Sequence, residues 1–428
     1  VLLFFMAEKN TPEVGDNIEI TTKKGKEVGT LLDSHEAGIV LLKLSSGYNI
    51  GLKKEDVKSM NVLGKAPEVV ESKVKKSAGK KPRIDFIMTG GTISSSLDSK
   101  TGGVKWLTSP EELFKFYPEV FELADVRIKN PFMKASENMN SGDWIRIAKE
   151  VVKSLNDPVC SGVIVTHGTD FLHYTGAALS FMIKDLNKPV VLTYSQRSTD
   201  RGSSDAELNL LCAAKVALSN IGEVVLVGHG TSNDDFCYVL QGNKTRKMHS
   251  SRRDAFKPIN VGPIAKVFKD KDIEILKDYW KRKKRKAKLD TSFESKVALV
   301  KFYPGQDPGI LDYYIKQKYK GIVIEMSGLG HVTSEGTLNW ISKIKQAIEK
   351  GIVVCAAAQT VYGSLDPLVY SPGRMLEKVG VIYLKDMLAE TALVKLGYVL
   401  GHKDWDAREK MLENISKEFN NRLGNDFN

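Results

Sequence analysis

Cysteine is scarce in this chain of 428 residues. There are four, Cys160, Cys212, Cys237 and Cys355, and no two stand in a CxxC or other metal-ligand spacing. That spacing argues against both a disulfide framework and a structural zinc site, and it fits a reducing, cytoplasmic setting. Long apolar runs are lacking as well. The terminal stretch Val1 to Met6 has no basic flank before it and is too short for a signal core or a membrane span, and Met6 reads as an alternative start. No membrane association is expected. Neither GxGxxG nor a Walker pattern occurs, so nothing here looks like an ATP site.

What is present is an ordinary globular composition, 42% apolar and 27% charged, in a chain long enough for two or three domains. The charge balance of 63 basic and 52 acidic residues, +11, permits a nucleic-acid partner without establishing one. Residues 13–62 alternate apolar and polar positions in short segments separated by turns such as Lys24-Gly25 and Ser46-Gly47, the pattern of a small five-stranded β barrel of the SH3 or Sm kind. Residues 63–82 lose that periodicity and read as a lysine-rich linker. From residue 83 strands and helices alternate, the signature of a mainly parallel sheet covered by helices. Strands are expected at 84–88, 162–166, 189–193 and 223–227, and helices at 143–155, 171–186 and 205–219. Residues 281–294, with the run KRKKRKAK at Lys281 to Lys288, read as a second, basic linker between the α/β domain at 83–280 and another at 295–425.

Chemistry concentrates at two strand ends. Asp85-Phe86-Ile87-Met88-Thr89-Gly90-Gly91-Thr92-Ile93 is a buried-type strand that breaks at two glycines and then presents a hydroxyl. Ligands of open parallel sheets bind at the carboxyl ends of strands, where a glycine turn lets backbone N–H groups approach them. Val163-Ile164-Val165-Thr166-His167-Gly168-Thr169-Asp170 repeats the arrangement, with a carboxylate added. Plainer readings stand beside this one: Thr92 caps the next element, Asp170 is the N-cap of the helix from Phe171, and His167 is a packed strand-end histidine. A threonine hydroxyl is a weak nucleophile that needs a proton acceptor. The candidate is Lys247, within the basic loop Gly242 to Asp254, which alone reads as a solvated face.

Thr89-Gly90-Gly91-Thr92-Ile93 and His167-Gly168-Thr169-Asp170 resemble, in order and separation, the paired signatures of the bacterial-type L-asparaginase/glutaminase family. The N-terminal β module and the stretch RKMHSSRRDAF, Arg246 to Phe256, resemble one branch of it, the D subunits of archaeal glutamyl-tRNA(Gln) amidotransferases. The likeness runs from about Val14 to Leu400. It implies a two-domain, parallel-sheet α/β fold of the asparaginase type behind the small barrel. It also implies that Thr92, Thr169, Asp170 and Lys247 are catalytic and that Ser136 and Glu137 hold the amino-acid head of the substrate. Backbone N–H groups near Gly91 and Gly168 would then stabilise an oxyanion.

Two departures stand out. Glu137 occupies a position where free asparaginases often have glutamine, and its carboxylate suits an α-ammonium. The loop Ser94 to Leu107 lacks the tyrosine that the family often carries there, and Tyr117 lies further along. The implied activity is glutamine hydrolysis through an acyl-threonine, with ammonia passed to a second subunit. That partner would be a kinase and transamidase that binds Glu-tRNA(Gln) and uses ATP and magnesium. This chain would need no cofactor or metal, and would form a homodimer core within a heterotetramer. A free-standing L-asparaginase, and an RNA-binding scaffold that uses the barrel and Lys281 to Lys288 with a degenerate core, are the alternatives.

Overall fold

A computed structural model describes residues 11–34, 36–45, 49–65, 81–97, 104–106, 117–197, 199 and 203–420. The alternative start, most of the 63–82 linker, much of the Ser94 to Leu107 loop and the last residues of the 295–425 domain lie outside them.

The N-terminal module comprises five antiparallel strands, β1 (Asp16–Thr22), β2 (Lys26–Leu32), β3 (Ile39–Leu44), β4 (Asn49–Lys53) and β5 (Val57–Lys65), in the order β4-β3-β2-β1-β5. Burial alternates strictly along β1, so Ile18 and Ile20 face inward between polar neighbours. With Leu42 and Val40 they make a core of modest size, and side chains from all five strands close over it. Among the described residues β4 and β5 are not paired, so the ladder is open rather than a closed barrel.

The main sheet is built on β6 (Arg83–Met88), β7 (Asp125–Lys129), β8 (Cys160–Thr166), β9 (Val190–Thr193) and β10 (Val224–His229), all parallel and ordered β7-β6-β8-β9-β10. Their inner stretches are buried on both faces, as parallel strands between helix layers must be. Alternate residues divide between the layers. Phe86, Met88 and Val191 pack with helix α3 (Ala206–Leu218) on one face. Ile87, Val163 and Val165 pack with α1 (Ser141–Leu155) and α2 (Leu172–Met182) on the other. Beyond β10 the sheet continues antiparallel through β11 (Cys237–Gln241), β14 (Ala265–Val267) and β15 (Glu274–Ile275). Between β11 and β14 the chain makes a short separate hairpin, β12 (Thr245–Lys247) paired with β13 (Phe256–Pro258).

Helix α1 begins two residues before the expected Asp143, because Asn140 caps it and Asp143 reciprocates in a capping box. Helix α2 ends at Met182, short of the expected 186, because Ile183 and Lys184 pair with Lys288 and Leu289. The basic stretch is therefore not a free linker. Lys281 bridges to Ile221, Lys283 N donates to the Leu186 carbonyl, and Ala287 is buried. Its backbone is tied at several points to the edge of the first α/β domain while most of its lysines face solvent.

The C-terminal domain is a four-stranded parallel sheet, β16 (Val297–Lys301), β17 (Gly321–Met326), β18 (Val353–Ala358) and β19 (Ile382–Tyr383), with helices α4 (Trp340–Glu349) and α5 (Ala389–Leu400). Helix α5 joins the two domains, with Val394 and Tyr398 completing the first domain's core. Lys244 and Asp386 form an ion pair of 2.5 Å across the join, and both side chains are almost entirely buried. The Asp386 backbone carbonyl accepts from Asn260, and the Asn243 carbonyl accepts from Thr391.

Breaking a buried pair strands a charge, which typically costs about 3–5 kcal/mol. Asp386→Ala should lose that much stability in urea denaturation, and Lys244→Met/Asp386→Leu should recover a large part. A loss below about 1 kcal/mol for Asp386→Ala would show that the pair does not hold the domains together.

Candidate active site

Strands β6 and β8 are neighbours, paired through Met88 and Thr166, so their carboxyl ends emerge side by side. Thr89 seals the junction: its hydroxyl donates to the Thr166 carbonyl at 2.8 Å. The chain then passes through Gly90 and Gly91 at φ of +126° and +85°, backbone that a side chain would strain. A methyl group on Gly91 would lie 2.6 Å from the Gly168 nitrogen, and one on Gly90 would lie 2.3 Å from the Lys134 carbonyl oxygen. Gly91 thus allows the first turn to rest on the second, backbone against backbone, and Gly90 lets the same turn pass the Lys134 backbone. Thr92 and Thr169 each follow a residue in that contact.

Ser136 opens a short helical turn that packs on the same spot, where a methyl on Gly168 would lie 3.1 Å from its hydroxyl oxygen. The Ser136 hydroxyl also accepts from the Phe171 N–H at 3.4 Å. Glu137 is exposed beside it and lines, with Ser136, Trp144 and Tyr174, a cavity of about 280 Å³.

Lys247 arrives on the β12–β13 hairpin. Its Nζ donates to the Thr169 hydroxyl at 2.8 Å and to Asp170 Oδ1 at 2.7 Å. The lysine side chain is only 10% exposed whereas that of Asp170 is 63% exposed, so a nearly buried cation meets a solvated carboxylate at the hydroxyl. Asp170 is not a helix cap: the N-cap of α2 is Phe171, which makes no side-chain capping bond. Lys247 is likewise no part of a solvated face, although Met248, His249 and Ser250 immediately after it are exposed.

His167 is fully buried. Its Nδ1 meets the Gly168 carbonyl at 2.7 Å, and its Nε2 meets the Thr175 hydroxyl at 2.8 Å. A carbonyl only accepts, so Nδ1 carries the proton and Nε2 accepts from Thr175. Burial holds the imidazole down to about 4, so it is neutral and fully engaged. It anchors Gly168 rather than acting as a base.

Tyr117 is nearer to this site than its distance along the chain suggests. It is buried, and its hydroxyl donates to the Ile93 carbonyl at 3.4 Å, one residue beyond Thr92. Burial, with Asp205 and Glu207 nearby, pushes the phenol far above its usual range, so it stays protonated and serves as a donor. No local pattern points to Tyr117, because the contact depends on how the chain returns between β6 and β7. The same holds for Arg246, whose Nε donates to Glu390 of the other domain at 2.6 Å.

The arrangement unites a hydroxyl, a lysine and a carboxylate in direct contact beside two glycine turns, the first of which leads into Thr92. It has the parts for acyl transfer from an amide: a nucleophile, a proton carrier and backbone donors. Among the described residues there is no cluster of three or more metal-ligating side chains, and no helix is long and apolar enough to cross a membrane.

Comparisons with known proteins match all three parts of the chain. The family model described as "Asparaginase, N-terminal" matches residues 83–281, that of the "Glutaminase/Asparaginase C-terminal domain" matches 296–412, and that of the "GatD N-terminal domain" matches 12–63. The chain is 46% identical to the D subunit of the glutamyl-tRNA(Gln) amidotransferase of Pyrococcus abyssi over 97% of its own length and 96% of the relative's. It is 42% identical to that of Methanosarcina barkeri over 94% and 97%, respectively. Among solved structures it resembles the thermostable L-asparaginase of Thermococcus kodakarensis, with a TM-score of 0.71, 27% identity, and coverage of 79% of this chain and 100% of that one. The L-asparaginase I of Vibrio cholerae is similar, with a TM-score of 0.68, 26% identity, and coverage of 79% and 99%.

The buried histidines make stability pH-dependent. Burial lowers both His167 and His173 to about 4, against about 6.5 in the unfolded chain. Between those values the unfolded state binds more protons, so stability falls as pH falls, by up to about 1.4 kcal/mol per pH unit for each histidine. Urea denaturation from pH 7 to 4.5 should show this decline, and His167→Gln should flatten it. An unchanged slope in His167→Gln would contradict the assignment.

Proposed function

Because the chain belongs to the family of glutamyl-tRNA(Gln) amidotransferase D subunits, built on the asparaginase/glutaminase fold, we propose that Thr92, Thr169, Asp170 and Lys247 form its glutaminase centre. The chain is the amidohydrolase component of a tRNA-dependent amidotransferase, and it serves protein biosynthesis. The observation that carries the residue assignment is the contact of Lys247 Nζ with both the Thr169 hydroxyl, at 2.8 Å, and Asp170, at 2.7 Å.

One of the two threonine oxygens attacks the side-chain carbonyl carbon of glutamine as its proton passes to Nζ of Lys247, which reacts as the neutral amine after handing a proton to Asp170. The carbonyl oxygen becomes an oxyanion and takes hydrogen bonds from backbone N–H groups at the Gly91 and Gly168 turns. Collapse breaks the C–N bond, the nitrogen takes up the proton, and ammonia leaves an acyl-threonine ester. Water then attacks the ester, releasing glutamate and returning the proton to the threonine. Ser136 and Glu137 hold the substrate's α-carboxylate and α-ammonium, respectively, with the exposed carboxylate of Glu137 suited to the cation.

The ammonia goes to a partner subunit that binds Glu-tRNA(Gln), activates its glutamyl carboxylate with ATP and magnesium and amidates it. Two copies of each subunit assemble in the cytoplasm around a homodimer of this chain. The intact lysine–threonine–aspartate contact favours an active glutaminase over a scaffold with a degenerate core. The N-terminal β module favours the amidotransferase over a free-standing asparaginase, since the asparaginase-type matches account for residues 83–281 and 296–412 without it.

Ammonia release from glutamine and from asparagine, measured with and without the partner and charged tRNA, tests this reading. Thr92→Val and Thr169→Val should each lower release by at least about 10³-fold with unchanged melting temperature. Release by the unaltered chain should rise when partner and Glu-tRNA(Gln) are added. Substantial activity in both variants, or full activity without the partner, would contradict the proposal.

A further inference from the structure

Lys247 must be held to a fraction of an ångström, since a displacement of about 1 Å at a reacting group can cost about 100-fold in rate. The hairpin that carries it is slight. Strands β12 and β13 share three residue pairs, Thr245 with Pro258, Arg246 with Lys257 and Lys247 with Phe256. Phe256 anchors it in the core of the first α/β domain, but its other flank is open, where a cavity of about 470 Å³ is lined by Asp170, His173, Tyr174, Arg246, Lys247 and Glu390 among others.

On that open flank polar ties fix the strand. Asn243 and Lys244, at the root of the hairpin, are bound to Thr391 and Asp386. One residue from Lys247, Arg246 Nε donates to Glu390 Oε1 at 2.6 Å. The Glu390 carboxylate is 9% exposed and sits in the first turn of α5, where the helix dipole favours an anion. Successive side chains of a strand point to opposite faces. Fixing Arg246 toward the C-terminal domain therefore turns Lys247 toward Thr169 and Asp170.

We propose that Glu390, acting through Arg246, is a positioning residue that sets Lys247 against Thr169, so that the C-terminal domain controls the competence of a centre built on the other domain. This rests on the assignment of Lys247 to the glutaminase centre. The substrate head is held elsewhere, so loss of the clamp acts on turnover and leaves binding alone.

The test uses the complete amidotransferase with Glu-tRNA(Gln) and follows ammonia release from glutamine. Glu390→Gln and Arg246→Met should each lower kcat about 10- to 100-fold with KM within about twofold of the unaltered enzyme, in protein that remains folded at the assay temperature. The double variant should be no worse than the worse single one, because both act through one contact. Arg246→Lys, which keeps a cation for Glu390, should stay within about threefold of the unaltered enzyme, and it remains informative if Glu390→Gln fails to fold. Unchanged kcat in the single variants, losses that multiply in the double, or a loss confined to KM would overturn the proposal. Lys247→Met, assayed in parallel, separates the two ideas: near-complete inactivity upholds the glutaminase centre whatever the Glu390 result, and retained activity removes both.

Discussion

Two adjacent parallel strands, β6 and β8, leave one edge of the sheet together, and their first turns press backbone against backbone where Gly91 meets Gly168. No side chain fits between them, and Gly91 holds a left-handed φ of +85° that any other residue would strain. Everything else at the site is arranged around that contact. Thr89 seals it from below, the buried neutral His167 anchors the Gly168 carbonyl, and Ser136 covers it from the side. The turns that lead into Thr92 and Thr169 are thereby brought together.

The cation comes from a different direction. Lys247 belongs to a hairpin outside the main sheet, and that hairpin is suspended from the C-terminal domain by the buried Lys244–Asp386 pair and by Arg246–Glu390. Buried ion pairs add little net stability, because desolvation offsets most of the attraction, but they penalise any other arrangement of the same groups. The two-domain architecture then has a mechanical meaning: one sheet supplies the hydroxyls and the other domain fixes the lysine against them.

Most of the architecture was legible in the sequence because hydrophobic period and glycine placement are local signals. The alternation in β1, the unbroken apolar runs of β8 and β10 and the helical stripe of α3 each reflect what one segment must bury. The strand-end threonines could be singled out for the same reason. What could not be read were contacts between distant segments. Lys247 was named through the resemblance, but its contact with Thr169, the pairing of Arg246 with Glu390 and the burial of Lys244 come only from the fold. The basic run at Lys281 to Lys288 reads as a solvated linker because its side chains are charged, yet its backbone is docked through bonds that any sequence could make. Tyr117 was hidden by chain distance in the same way.

A glutamine analogue bearing a diazoketone in place of the side-chain amide would alkylate the nucleophile, and peptide mass spectrometry would locate the adduct. One adduct per chain is expected, on the peptide containing Thr92 or the peptide containing Thr169, formed in the complex with charged tRNA and lost in Lys247→Met. An adduct on any other residue, or ammonia release from a complex that forms none, would contradict a threonine nucleophile served by Lys247.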